Sequence, residues 1–202
     1  GNNPITTITK YYYDDSIHLQ LSRTEASNSK GQLVRTTSKY PYDYSGTAVY
    51  DSMIAKNIIG VQVDTKKEIV TGPSSSTVLS EDKIDYGHAG NNNYVPVAVK
   101  KSVKGNALET EGTIDLYDAY GNILQFTGKN GIVSAVVWGY NHKYPVAQVV
   151  GATYSNVIAQ LTGGSVSALQ SMTGATLRAE LNNIRTNLAA AGVTTYTYKV
   201  MT

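Results

Sequence analysis

The chain has no cysteine, which removes disulfides, thiolate zinc sites, iron–sulfur clusters and cysteine nucleophiles together. Charge is scarce. Asp, Glu, Lys and Arg make up 16% of the 202 residues, against roughly 25% in an average soluble domain. The formal net charge is only +2, which gives no electrostatic basis for nucleic acid or an anionic membrane as partner. Long apolar runs are missing too. Tyr144 to Leu177 carries no charge, yet Gln148, Gly151, Ser155, Asn156 and Gln160 interrupt it. No run of ~20 apolar residues exists to span a membrane. Gly1 to Lys10 has neither a basic start nor an apolar core, so no signal peptide is legible. Gly1 reads as a tag remnant, and the chain as a piece excised from a longer protein. Phe and Trp are down to one each, beside 16 Tyr.

What is present speaks for β-structure. Hydrophobic residues reach 41%, enough to exclude disorder by composition. Tyrosine suits half-buried strand surfaces where the ring packs and the hydroxyl stays wet. Strands are expected over Ile5–Tyr13, His18–Ala26, Gln32–Tyr40, Val61–Val70, Tyr94–Val103, Ala107–Tyr117, Asn122–Thr127, Ile132–Trp138 and Val193–Val200. Thr77 to Asp85 fits no single pattern, and Gly72 to Ser76 and Gly87 to Asn93 read as loops. A short helix is expected near 47–58, where Val49, Met53, Ile54 and Ile58 share a face. A helical block is expected over 154–191, as an insertion of about 153–192. It opens near Thr153 or Ser155 and ends in a helix over Ala175–Ala191, with Gly192 at its C′ position. Leu177, Leu181, Ile184 and Leu188 form one stripe there that should lie on the sheet. The fold class is therefore α+β, mainly antiparallel sheet, read as a single unit over 1–202.

Gly112 to Gly131 reads GTIDLYDAYGNILQFTGKNG. Tyr117-Asp118, then Gly121-Asn122 and a strand, resembles the tyrosine–aspartate (YD) repeat of bacterial Rhs-type proteins, a strand–turn–strand unit of roughly twenty residues. Asp118 can bond the turn backbone, Gly121 can take positive φ, and Tyr117 can pack across the strands. Tyr11 to Asp14 followed by Ser29 to Leu33 is a degenerate version. Val137 to Ala147 and Val193 to Lys199 are also similar to such proteins. The resemblance implies a non-catalytic shell or scaffold segment of a cell-surface or secreted protein, built of YD-type hairpins, with adjoining repeats as its partners. Thr6–Tyr13 and Thr194–Thr202 are Thr/Tyr-rich with few charges. At least one of them is expected to pair with a neighbouring copy or to lie at a sheet edge, since a free domain would blunt such edges with Lys, Pro or bulges. The alternative is that the two pair with each other and close a self-contained domain.

Three groups of residues could carry chemistry. His18, His88 and His142 show no metal-ligand spacing. Glu109, Glu111, Asp115 and Asp118 are the densest acidic cluster, open to a glycosidase reading or to a solvated sheet face. Asp14, Asp15 and the Asp118 turn offer hard oxygen ligands for calcium, without EF-hand spacing. No catalytic residue, metal or cofactor is expected. Trp138, Tyr140, His142 and Tyr144 alternate, so in an extended strand all four would face one way. That strip is either core or a platform for a polysaccharide or a protein partner.

Overall fold

The computed structural model describes residues 7–90 and 93–198. Among these, eleven strands and three short α-helices form an α+β fold that is mainly antiparallel sheet. Each strand pairs with its neighbours in sequence, β1 through β11. The chain divides into two compact units, residues 1–87 with 96–111, and residues 88–95 with 112–202.

The first unit holds β1 (Thr9–Tyr12), β2 (Arg23–Ser27), β3 (Leu33–Lys39), β4 (Asp64–Gly72) and most of β5 (Ser75–Ala89) and β6 (Asn93–Val103). Its strands are tied by charge. Glu25 on β2 faces Arg35 on β3 at 2.8 Å and accepts the Tyr12 hydroxyl of β1 at 3.1 Å. Glu68 on β4 is buried with Lys66 at 3.0 Å, and Lys100 on β6 reaches Asp85 on β5 at 2.6 Å. Apolar burial here is small: Tyr40, Pro41 and Val63 are buried, as are Tyr50 and Met53 of α1 (Ala48–Ala55). The tyrosines bury rings and use their hydroxyls: Tyr40 donates to the Leu21 carbonyl, and Tyr44 to the Asp64 carboxylate at 2.8 Å. Burial and that carboxylate push the Tyr44 phenol well up.

The second unit holds most of β7 (Glu109–Tyr117), then β8 (Ile123–Gly128), β9 (Val133–Gly139), β10 (Tyr144–Val150), α2 (Tyr154–Ile158), α3 (Gly174–Asn187) and β11 (Gly192–Thr195). It has a conventional apolar core. Leu177, Leu181 and Ile184 are fully buried, and they pack with Ala135, Val137 and Val149 of the sheet. Each such side chain contributes about 1.5–3 kcal/mol relative to exposure. The expected stripe thus lies on the sheet, with Leu188 partly buried at its end. Thr153 caps α2, its hydroxyl accepting the Asn156 amide at 3.3 Å.

One turn recurs. Between β7 and β8 the Asp118 amide donates to the Asn122 carbonyl and the Gly121 amide to the Asp118 carbonyl. Asn28 to Gln32 joins β2 to β3, and Gly128 to Ile132 joins β8 to β9, with the same two bonds. Gly121, Gly31 and Gly131 hold the fourth position at φ 86°, 74° and 75°. A three-residue hairpin with a left-handed third residue needs glycine there. Asp118 Oδ1 also accepts the Tyr120 and Asn122 amides, and Asn28 Oδ1 accepts those of Lys30 and Gln32. In the degenerate front unit Asn28 therefore takes the place of Asp118. Tyr13-Asp14 lies far upstream, where Asp14 accepts bonds from Ser22 and Arg23.

Several elements differ from the sequence reading. His18 to Leu21 is not strand: Asp15 Oδ1 accepts the Ile17 and His18 amides and closes a turn. Thr77 to Asp85 is strand, and β5 runs on to Ala89 rather than looping at Gly87. Gly87 permits this because Val97 lies 2.7 Å from where a Cβ would stand. Ser75 and Ser76 belong to β5 as well. The last helix ends at Asn187, and Gly192 opens β11 opposite Val150 instead of capping the helix. Both terminal strands are edges among the described residues: β1 pairs with β2, and β11 with β10. Residues 1–6 and 199–202 of the two expected strands lie outside the described residues.

Candidate functional site

The expected strip does not form, because the chain between β9 and β10 leaves the extended region. Tyr140, Asn141 and His142 have φ of 52°, 58° and 62°. Three consecutive left-handed non-glycine residues cost on the order of 1 kcal/mol each. Bonds from distant residues hold them there. Gln170 Nε2 donates to the Trp138 carbonyl, and Gln170 Oε1 accepts the His142 amide at 2.9 Å. Asn122 Nδ2 donates to the His142 carbonyl at 2.9 Å and to Asp118 Oδ2. The four aromatic residues are thereby separated into three places.

His142 goes to the YD turn, its ring 4.7 Å from that of Tyr120 and its Nδ1 3.4 Å from Asp118 Oδ2. Tyr140 and Tyr144 go to the chain end. Their rings lie 5.6 and 4.8 Å from that of Tyr198, which follows β11. The Tyr140 hydroxyl accepts the Tyr198 amide at 3.1 Å, and the Tyr198 hydroxyl donates to the Pro145 carbonyl at 3.0 Å. Tyr198 is thus fixed in position from both ends.

Trp138 occupies the third place, a groove of about 440 Å³. Val136 and Trp138 of β9 and Pro145 and Gln148 of β10 line it as cross-strand pairs. Ile123 and Phe126 of β8 border one side, and Tyr196 and Tyr198 the other. The Trp138 indole N–H donates to the Ile123 carbonyl at 2.8 Å, which fixes the ring. None of these lining side chains carries a charge. Phe126, Gln148, Tyr196 and Tyr198 are not legible as one site in the sequence. The alternation of Tyr196 and Tyr198 was the available signal, since it puts both rings on one face.

Of the acidic cluster, Glu109 and Glu111 belong to the first unit, and Asp115 and Asp118 to the second. Asp115 sits at an irregularity of β7 and accepts the hydroxyls of Thr113 and Thr127 and the amide of Gln125. Burial pushes this carboxyl up, but those bonds outweigh it and hold the group below its ordinary range. Asp118 is engaged in the turn. His18 stacks on Tyr42 at 3.9 Å and bonds Asp15 at 2.7 Å, and His88 packs on Tyr94. No three His, Asp or Glu side chains gather as a metal site among the described residues. No described helix is long and apolar enough to cross a membrane. No family model matches the chain, and no curated protein or solved structure gives a significant match.

Proposed function

We propose that the chain is a structural segment of a cell-surface or secreted YD-repeat (Rhs-like) protein, extending a β-shell rather than catalysing a reaction. The observation that carries this reading is that β1 of the first unit and β11 of the second each have one partner strand among the described residues. Repeat arrays grow by adding units at such edges. The recurrent hairpin supports it as well, since one turn design with glycine at its fourth position serves both units. Asp115 and Asp118, the carboxylates nearest the YD motif, work as backbone and hydroxyl acceptors, a structural duty.

Two copies of the chain joined end to end by a flexible linker test the proposal. The Tyr196 amide bonds the Val146 carbonyl of β10, so by strand alternation the Val193 and Thr195 amides face away from β10. In the first copy their hydrogen exchange should slow by about tenfold or more relative to the single chain. Exchange at both junction strands as fast as in the single chain would remove the scaffold reading and leave a self-contained domain.

A further inference from the structure

The groove around Trp138 is more than packing residue left between strands. One face of β9 and β10 is covered by α2, α3 and the segment between them, through Ala135, Val137, Ala147 and Val149. The groove lies among the residues of the other face, Val136 with Gln148 and Trp138 with Pro145. Its volume of about 440 Å³ falls within the range of roughly 300–1,000 Å³ typical of small-ligand sites.

Three properties define what fits. The walls present four aromatic rings, Phe126, Trp138, Tyr196 and Tyr198, of which Trp138 and Tyr198 are pinned by hydrogen bonds of their own. Rigid rings stack on the apolar face of a ligand at little entropic cost. The lining carries no charge, so a charged ligand would lose its hydration with nothing to replace it. Two polar groups at the groove stand without a hydrogen-bond partner among the described residues, the Gln148 amide and the Tyr196 hydroxyl. The amide offers two donors and an acceptor, and the phenol one donor and an acceptor. A ligand that has an apolar ring face, hydroxyls at its rim and no charge satisfies all three.

We infer that this groove binds a neutral saccharide, a pyranose stacking between Trp138 and the Tyr196–Tyr198 pair while its hydroxyls bond Gln148 and Tyr196. The inference does not depend on the scaffold reading, since the groove lies within the second unit. Trp138 is the sole tryptophan, so its fluorescence reports the site directly in the full chain.

The test titrates cellohexaose, maltohexaose and chitohexaose against Trp138 emission. A saturable change with at least one of them is expected, at a Kd on the order of 10 µM to 1 mM. Tyr196→Ala should weaken binding about tenfold, and Gln148→Leu about fivefold. Both leave the Trp138 and Tyr198 bonds intact, so the thermal midpoint should hold and separates lost binding from lost folding. Absence of a saturable change with all three sugars up to about 10 mM overturns the proposal. So does binding that Tyr196→Ala leaves undiminished. Quenching by heparin or by a Val/Thr strand peptide, with none by the sugars, would assign the groove to another class of partner and overturn it equally.

Discussion

The two units use one turn and one strand order but are held together differently. In the first, positions that a sheet normally fills with aliphatic side chains are Asp64 and Glu68, both buried, and Glu25 bridges Arg35 and Tyr12. In the second, Ala135, Val137, Val146 and Val149 fill the equivalent of that surface, and three helical residues cover them without any exposure. The contrast shows that the meander does not prescribe its own glue. Backbone pairing and turn chemistry fix the path, while either cross-strand ion pairs or an apolar layer can make the face adhesive. These sources differ in how they respond to acid and to truncation, and that difference can be measured.

The largest effect should come from the apolar unit. Leu181→Ala is expected to cost about 2–5 kcal/mol, read by Trp138 fluorescence in a denaturant titration, since Trp138 lies in that unit. An unchanged midpoint would mean that the helix adds little and that the two units are not as different as their cores suggest.

A change at the shared turn should be felt equally in both units. Gly121→Val forces a β-branched residue to a φ of 86°, and Gly31→Val to 74°. Each should cost about 1–3 kcal/mol, followed by hydrogen exchange of the flanking strands. If one tolerates valine and the other does not, the turns are alike in geometry only.

The smallest effect belongs to the ion-pair ladder, and it carries the pH signature. The hydrogen bond from Arg35, then those of Tyr12 and the nearby guanidinium charges, hold Glu25 below its ordinary 4.5 against the opposing push of burial. A lowered folded value means this stabilisation is fully present above pH 4.5 and is lost as pH falls through the lowered value. Glu25→Gln should cost about 1–2 kcal/mol at neutral pH. It should also flatten the acid dependence of β2–β3 amide protection. An acid profile identical to that of the unsubstituted chain would show that Glu25 does not set it.

The sequence by itself determined what depends on near neighbours. The Tyr117-Asp118-x-x-Gly121 spacing set the hairpin, because a turn is closed by groups four residues apart or fewer. The four-three-four spacing of Leu177, Leu181, Ile184 and Leu188 set the covering helix, because a helix face repeats with its own period. Thr153 set the start of α2 by accepting an amide three residues on. Tertiary structure decided the rest. Trp138 to Tyr144 alternates as a strand would, yet Gln170 and Asn122, 28 and 20 residues from His142 along the chain, draw 140–142 into the left-handed region. No local pattern records bonds of that length, so the aromatic residues separate. Phe126, Gln148, Tyr196 and Tyr198 meet Trp138 only once β8, β9, β10 and the segment after β11 lie side by side. The groove is a product of strand register, which arises from pairing between segments and is written in none of them singly.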